Sequence, residues 1–78
     1  MKLPRGVSAD RLIRALERLG YTVIRQKGSH VRLRHEGPPK HVITVPLHDQ
    51  LKIGTLHDIL VEVARMRSIT IESILQLL

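Results

Sequence analysis

The sequence predicts an α+β domain in which helices cover one side of a three-stranded antiparallel sheet. Three observations predict it: apolar residues recur at helical spacing near the start, three short segments rich in β-formers follow, and helical spacing then returns. The connections between the three segments are too short for parallel crossovers, so the strands must be antiparallel. The expected order is α-β-β-β-α with a short C-terminal helix, and 78 residues leave room for a single domain over 1–78.

The first helix is predicted over residues 9–19. Ser8 has a side chain typical of an N-cap, Asp10 places an anion in the first turn, and Gly20 is suited to end the helix. The apolar residues at helical spacing are Leu12, Ile13, Leu16 and Leu19. Three arginines, Arg11, Arg14 and Arg18, lie roughly opposite them. The helix is therefore expected to bury one face and to carry a basic outer edge.

Three strands are predicted next, over residues 21–26, 30–35 and 41–45. The turn Lys27-Gly28-Ser29 joins the first two strands. The loop 36–40 contains two prolines, which keep it from forming a helix or a central strand.

The second strand, HVRLRH, alternates strictly between polar and apolar residues. Because successive side chains of a strand point to opposite faces, Val31 and Leu33 share one face. The other face carries His30, Arg32 and Arg34. We expect the apolar face to pack on the helices and the polar face to meet water.

Two helices are predicted after the sheet. Thr55 followed by Asp58 has the form of a capping box, and apolar residues continue at helical spacing, so a helix is expected over 56–66. Thr70 is a second N-cap, before a short helix that ends at Leu78. The apolar side of this last helix comprises Ile71, Ile74, Leu75 and Leu78. Eight residues are too few for an isolated helix in water, so this segment must dock on the domain.

The composition excludes several classes of protein. Tyr21 is the only residue among Phe, Tyr and Trp, which excludes modules that read single strands by stacking bases on several rings. The absence of cysteine excludes a disulfide scaffold, a thiolate zinc site and a cysteine nucleophile. No apolar stretch is long enough to span a membrane, and the first residues form no signal-peptide run. We therefore expect a cytoplasmic protein that does not bind a membrane.

The charge is strongly basic and unevenly distributed. Lysine and arginine number 13 against 7 acidic residues, which gives a formal net charge of +6. Residues 1–40 carry ten basic and three acidic groups, whereas residues 41–78 carry three basic and four acidic groups. This distribution favours a polyanionic partner on the first half, with nucleic acid ahead of a membrane surface. The alternative is that the basic side chains only solvate the surface.

Histidine is the enriched reactive residue, with five copies at His30, His35, His41, His48 and His57. Their spacing contains no pair typical of a metal site, and no cysteine is present to complete one. The chain also lacks a glycine-rich phosphate loop and a close pair of carboxylates. The sequence therefore predicts no metal and no cofactor.

His30 has the most specific context of the five. It follows Lys27-Gly28-Ser29, a turn whose backbone N–H groups can form an anion-binding nest, and it shares its predicted face with Arg32 and Arg34. Cleavage of RNA by its own 2′-hydroxyl needs a base near neutral pKa and cations that stabilise the charged phosphoryl transition state. The alternative is a polar histidine on a solvated strand.

Three stretches of the chain resemble one known family. LERLGYTVIRQKGSHVRLRH contains a leucine-rich helix end, a Gly-aromatic pair and a Gly-Ser-His strand start. VPLHDQLKIGTLHDIL contains Val-Pro, a histidine and then Gly-Thr-Leu at a helix start, and ITIESILQLL is similar to a terminal short helix. In this order the stretches resemble the HicA (YcfA-like) mRNA interferase toxins, over nearly the whole chain.

The resemblance implies a fold like that of a double-stranded RNA-binding domain and an RNA endonuclease activity on mRNA. It also implies a HicB-type antitoxin as protein partner, in a toxin–antitoxin hetero-oligomer. The catalytic histidine of the family matches His30, and His48 is our candidate for a second acid or base. The residues expected to contact RNA are Arg25, Lys27, Gly28, Ser29, Arg32 and Arg34.

Two other functions remain open at this level. A non-catalytic RNA- or DNA-binding module would bind in a salt-dependent way without cutting. Double-stranded RNA-binding domains, however, place a lysine cluster at the start of their last long helix, where this chain has Asp58 and no cluster. A protein-interaction subunit would instead use the apolar segment 71–78 as its main surface.

Overall fold

The computed structural model describes residues 2–78 and confirms the predicted α+β arrangement. Its elements are α1 (Ala9–Arg18), β1 (Thr22–Lys27), β2 (His30–His35), β3 (His41–Pro46), α2 (Ile53–Arg67) and α3 (Ile71–Leu75). The three strands form one antiparallel sheet in the order β1-β2-β3. Within residues 2–78, no helix has the length and apolar character needed to cross a membrane.

Helix α1 begins and ends where its sequence predicts, to within one residue. The Ser8 side chain accepts a hydrogen bond of 3.1 Å from the backbone N–H of Arg11, which confirms the N-cap. Leu12 and Leu16 are fully buried. Gly20 follows the helix with a φ of +97°, and a Cβ atom there would lie 2.9 Å from Nε2 of His35, so no larger residue fits without strain.

The strict alternation of β2 is confirmed. Val31 and Leu33 are buried against the helices, while His30 and Arg32 are exposed on the opposite face. Strand β2 lies in the middle of the sheet, where every one of its residues pairs with β3. The sheet therefore has one packed face and one open face, and the polar residues of β2 lie on the open one.

The core lies between the packed face of the sheet and the three helices. Its fully buried members include Leu12, Leu16, Leu33, Leu56, Leu60, Val63 and Ile74. Thr70 caps α3 as predicted, because its hydroxyl accepts a 3.1 Å hydrogen bond from the N–H of Ser73. Ile74 has no exposed surface, so the apolar side of α3 packs on the domain itself. The other apolar residues of the segment, Ile71, Leu75 and Leu78, are partly buried against the same core, so docking leaves only part of this apolar surface for a protein partner.

The predicted start of α2 is wrong. The helix begins at Ile53, its N-cap is Lys52, and Thr55 lies inside the first turn. The physical reason is that Leu51 is already anchored: it is buried, and its N–H donates a 2.8 Å hydrogen bond to the carbonyl of Val7. The chain can therefore turn into the helix directly after Leu51. A capping-box pattern alone does not reveal this tertiary anchor.

A buried polar cluster closes one end of the sheet. The hydroxyl of Tyr21 lies 2.6 Å from Nε2 of His41, whose Nδ1 lies 2.7 Å from the carbonyl oxygen of Pro39. Because that carbonyl can only accept, His41 carries its proton on Nδ1, and the tyrosine hydroxyl donates to Nε2. His35 accepts a 2.9 Å hydrogen bond from the N–H of Gly37 on Nδ1, so its other nitrogen donates to a backbone carbonyl. Two of the five histidines are therefore structural.

Burial in this cluster raises the pKa of Tyr21 from 10 to about 12, with the charges of Arg67 and Glu62 acting in opposite directions as smaller causes. Since Tyr21 is the only tyrosine, its ionisation can be followed directly by the ultraviolet absorbance of tyrosinate. We expect a midpoint near pH 12 in the folded protein and near pH 10 in denaturant.

The same shift makes folding stability depend on pH. The folded state favours the neutral phenol of Tyr21. The contribution of this preference to the free energy of unfolding is fully present below pH 10 and is lost as the pH rises towards 12. The loss should amount to about 2–3 kcal/mol of unfolding free energy. Tyr21→Phe should abolish this part of the pH dependence, and an absorbance midpoint near pH 10 in the folded protein would contradict the assignment.

Candidate functional site

The open face of the sheet brings basic residues from two strands around His30. Strand pairing places His30 directly opposite Lys27 on one side and Pro46 on the other. Directly opposed residues point to the same face, with Cβ atoms about 4.5–5.5 Å apart. The neighbouring row on this face consists of Arg25, Arg32 and Thr44. Two adjacent rows of the sheet therefore form one continuous polar surface.

These rows enclose a shallow depression of about 360 Å³. It is lined by Arg25, Lys27, His30, Arg32 and Thr44, and no acidic residue is among them. Within residues 2–78, none of its three cations forms an ion pair with a carboxylate. The depression therefore has a positive field that internal partners do not neutralise, and this is the electrostatic character that attracts a phosphate group.

The turn before His30 is fixed to the rest of the domain. Gly28 has a φ of +56°, a left-handed conformation that glycine adopts at little cost. The carbonyl oxygen of Ser29 accepts a 2.6 Å hydrogen bond from the N–H of Leu47, just after β3. His30 is thus the first residue of a central strand and follows a turn tied to a second segment, so its backbone is held in place from both sides.

Arg34 lies on the same face but outside the depression. Its Nε is 2.7 Å from Oε2 of Glu36, and Nζ of Lys40 is 3.9 Å from the other oxygen of the same carboxylate. The short distance makes Arg34 and Glu36 a close ion pair. The sequence grouped Arg34 with Arg32, but in the structure a nearby acid engages Arg34 while Arg32 remains free.

His48 lies in a different place from His30. It follows two residues after Pro46, the cross-strand partner of His30, but it lines a separate depression together with Asp10 and Asp49. The carbonyl oxygen of His48 accepts a 3.0 Å hydrogen bond from the N–H of Ala9 at the start of α1. The structure does not bring His48 into the depression that contains His30.

Thr44 is a site residue that the sequence analysis missed. Apart from His41 it is the only polar residue of the segment HVITV, and its side chain is exposed on the open face beside Arg32. Alternation along β3 would have placed it on the polar face, because Ile43 and Val45 are the buried residues on either side. Its proximity to His30, however, depends on the register between β2 and β3, which the sequence pattern alone does not set.

A second group of cations lies near the start of α2. Lys2 and Arg5 line a depression with Ile53 and Gly54, at the first turn of the helix. The sequence predicts no basic cluster there, because the helix itself begins without one. The cations come instead from the N-terminal segment, about fifty residues away in the chain. No group of three or more histidine and acidic side chains that could hold a metal ion occurs among the described residues.

Comparison with known proteins identifies the family. Neither the curated proteins nor the solved structures that were searched contain a match to the chain. The family model described as the HicA toxin of bacterial toxin-antitoxin systems matches residues 9–64 of the 78. The matched region extends from the first residue of α1 through the whole sheet and most of α2, and it includes the depression around His30. The chain therefore belongs to the HicA toxin family of bacterial toxin–antitoxin systems.

Proposed function

We propose that this chain is an mRNA interferase, an endoribonuclease toxin that cuts mRNA by acid–base chemistry at His30 and that a HicB-type antitoxin neutralises. The observation that carries the proposal is the position of a single imidazole in a depression lined by three unpaired cations and no acid. In such a site the cations can hold a phosphodiester, and the imidazole can remove a proton from the hydroxyl beside it. Family membership supports the toxin role.

In the proposed reaction, His30 removes the proton from a ribose 2′-hydroxyl. The 2′-oxygen then forms a bond to the adjacent phosphorus while the bond from phosphorus to the 5′-oxygen breaks, and that oxygen leaves after taking up a proton. The products are a 2′,3′-cyclic phosphate and a 5′-hydroxyl. Arg25, Lys27 and Arg32 stabilise the negative charge that develops on the phosphoryl oxygens, and Thr44 contributes a neutral hydrogen bond. No step requires a metal ion.

The leaving 5′-oxygen needs a proton donor. His48 is the candidate from the sequence, and it is exposed two residues after Pro46, the cross-strand partner of His30. Because it lines a neighbouring depression, we expect His48→Ala to reduce the rate less than His30→Ala does. If His48→Ala lowered the cleavage rate more than His30→Ala, His48 would be assigned as the base and His30 as the proton donor.

The direct test is incubation of the purified chain with a defined mRNA in EDTA. We expect shorter fragments that carry cyclic phosphate and 5′-hydroxyl ends. Loss of cutting in EDTA, restored by a divalent ion, would overturn the metal-independent mechanism. Expression of the chain alone should arrest growth, and co-expression of the antitoxin should restore it.

Arg32 and Arg34 provide a matched pair for testing the RNA contact. They lie two residues apart on the same face, but only Arg32 lines the depression, whereas Arg34 is paired with Glu36. Arg32→Ala should weaken RNA binding and lower the slope of log affinity against log salt by about 0.7, the value for one lost phosphate contact with a single strand. Arg34→Ala should leave the slope nearly unchanged. Equal slopes for the two variants would contradict the assigned contact.

A second candidate function is binding of RNA without cleavage. Lys2 and Arg5 near the start of α2 favour it, because this is the region where domains of this type contact phosphates of duplex RNA. A gel separates the two functions, since binding alone retards the RNA without shortening it. Retarded but intact RNA in the presence of folded protein would favour this candidate over the enzyme.

A further inference from the structure

Strand β1 is an exposed edge of the sheet. It pairs with β2 on one side only, and all six of its residues are exposed. Helices α1 and α2 pack mainly against β3, at the other side of the sheet. Val23 pairs with the buried Leu33 and so points to the packed face, yet 41% of its surface is exposed. The helical layer therefore leaves the inner side of β1 uncovered.

Two large apolar residues lie side by side on this edge. Ile24, which is 42% exposed, lies at a bulge where the pairing with β2 shifts, and it follows Val23 directly. Both are β-branched, which suits an extended backbone, and an edge strand offers free N–H and C=O groups to another strand. The same strand turns Arg25 and Lys27 towards the open face. The edge thus carries Val23 on its inner side and Arg25 and Lys27 on its outer side, and Ile24 adds exposed apolar surface at the bulge between them.

The charges on β1 indicate which kind of partner can bind along this edge. A second copy of β1 would bring its own Arg25 and Lys27 against those of the first, and like charges opposed across a sheet are destabilising. A nucleic acid has no row of amide groups to pair with the strand and no apolar side chains to cover Val23 and Ile24. An extended protein segment with acidic residues on one face and apolar residues on the other complements both sides of the strand.

We propose that β1 is the docking edge for an acidic, extended segment of the antitoxin, which adds to the sheet as a fourth strand. Its acidic side chains would pair with Arg25 and Lys27, and its apolar side chains would cover Val23 and Ile24. Arg25 and Lys27 also line the depression around His30, so the segment removes two of its three free cations from RNA without contacting the histidine. The inference rests on the proposed antitoxin partner but not on RNA cleavage.

The experiment compares hydrogen exchange of the free chain with that of the chain co-purified with its antitoxin. We expect the amides within Thr22–Lys27 to exchange at least about tenfold more slowly in the complex. The double variant Val23→Thr with Ile24→Thr keeps both β-branched side chains but removes their apolar ends, and it should raise the dissociation constant about tenfold. Val61→Thr on α2, where Val61 is similarly exposed at 40%, is the matched control and should bind as the original chain does.

The free double variant should give the same far-ultraviolet circular dichroism spectrum and the same cooperative urea transition as the original chain, which shows that it is folded independently of any RNA cleavage. A complex that leaves exchange in β1 unchanged, or a double variant that binds normally, would overturn the inference while leaving the proposed function intact. The inference would also be overturned if RNA, but not the antitoxin, protected β1 from exchange. It would likewise be overturned if the free chain dimerised through this edge. Absence of any complex would overturn it together with the proposed partner.

Discussion

Replacing His30 with alanine is expected to slow RNA cleavage by about 10²–10⁴-fold, the usual contribution of one general acid–base group. The effect should fall on the chemical step, because Arg25, Lys27 and Arg32 remain in place to hold the phosphate. His30 is exposed, so its truncation leaves no cavity and should change the unfolding free energy by less than about 0.5 kcal/mol. Single-turnover cleavage of a defined mRNA, with a urea denaturation curve for the same variant, measures both quantities.

The matched control is His57→Ala. His57 lies on α2 in the depression with Lys2 and Arg5, not in the one around His30, and its side chain is 57% exposed, so the substitution removes a comparable surface imidazole outside the proposed cleavage site. The His57→Ala variant should cleave RNA at the original rate. If His30→Ala lost less than about tenfold in rate, the general base would have to be reassigned, with His48 tested next.

The alternation of β2 was sufficient to predict that Arg32 shares the open face of the sheet with His30. A strand has a period of two, so one buried Leu33 determines the face of each neighbour, and the structure places Arg32 on the open face as expected. The alternation was not sufficient to separate Arg32 from Arg34. That difference arises from the ion pair with Glu36, whose geometry depends on how the loop after β2 turns.

Other features depend on contacts between distant parts of the chain. Thr44 joins the site through the register of β3, and Lys2 lines a depression with the start of α2 although about fifty residues separate them in the chain. The start of α2 follows from the anchoring of Leu51 by Val7, not from the polar residues inside the helix. Local patterns locate helices and strands, whereas these positions are set by tertiary packing.

Truncating Leu33 to alanine should have the largest effect on stability. Leu33 has no exposed surface, lies in the middle of the central strand, and is flanked on the packed face by Val23 and Ile43. Removal of a fully buried leucine side chain costs about 2–5 kcal/mol, because the surrounding core closes only part of the cavity. A domain of 78 residues is expected to have a total stability of roughly 4–12 kcal/mol, so this loss is a large fraction of it. Urea denaturation measures the change directly.

Val23→Ala is the matched control for stability, because Val23 lies in the same cross-strand row but is 41% exposed. Val23→Ala should lower the free energy of unfolding by less than about 1 kcal/mol, and equal losses at the two positions would show that β1 is covered in solution.

Leu33→Ala also separates stability from chemistry. It should lower RNA cleavage only through the unfolded fraction, so the rate per folded molecule stays constant, whereas His30→Ala should lose that rate in a fully folded protein. A low rate per folded molecule in Leu33→Ala would mean that the strand behind His30 also sets the geometry of the site.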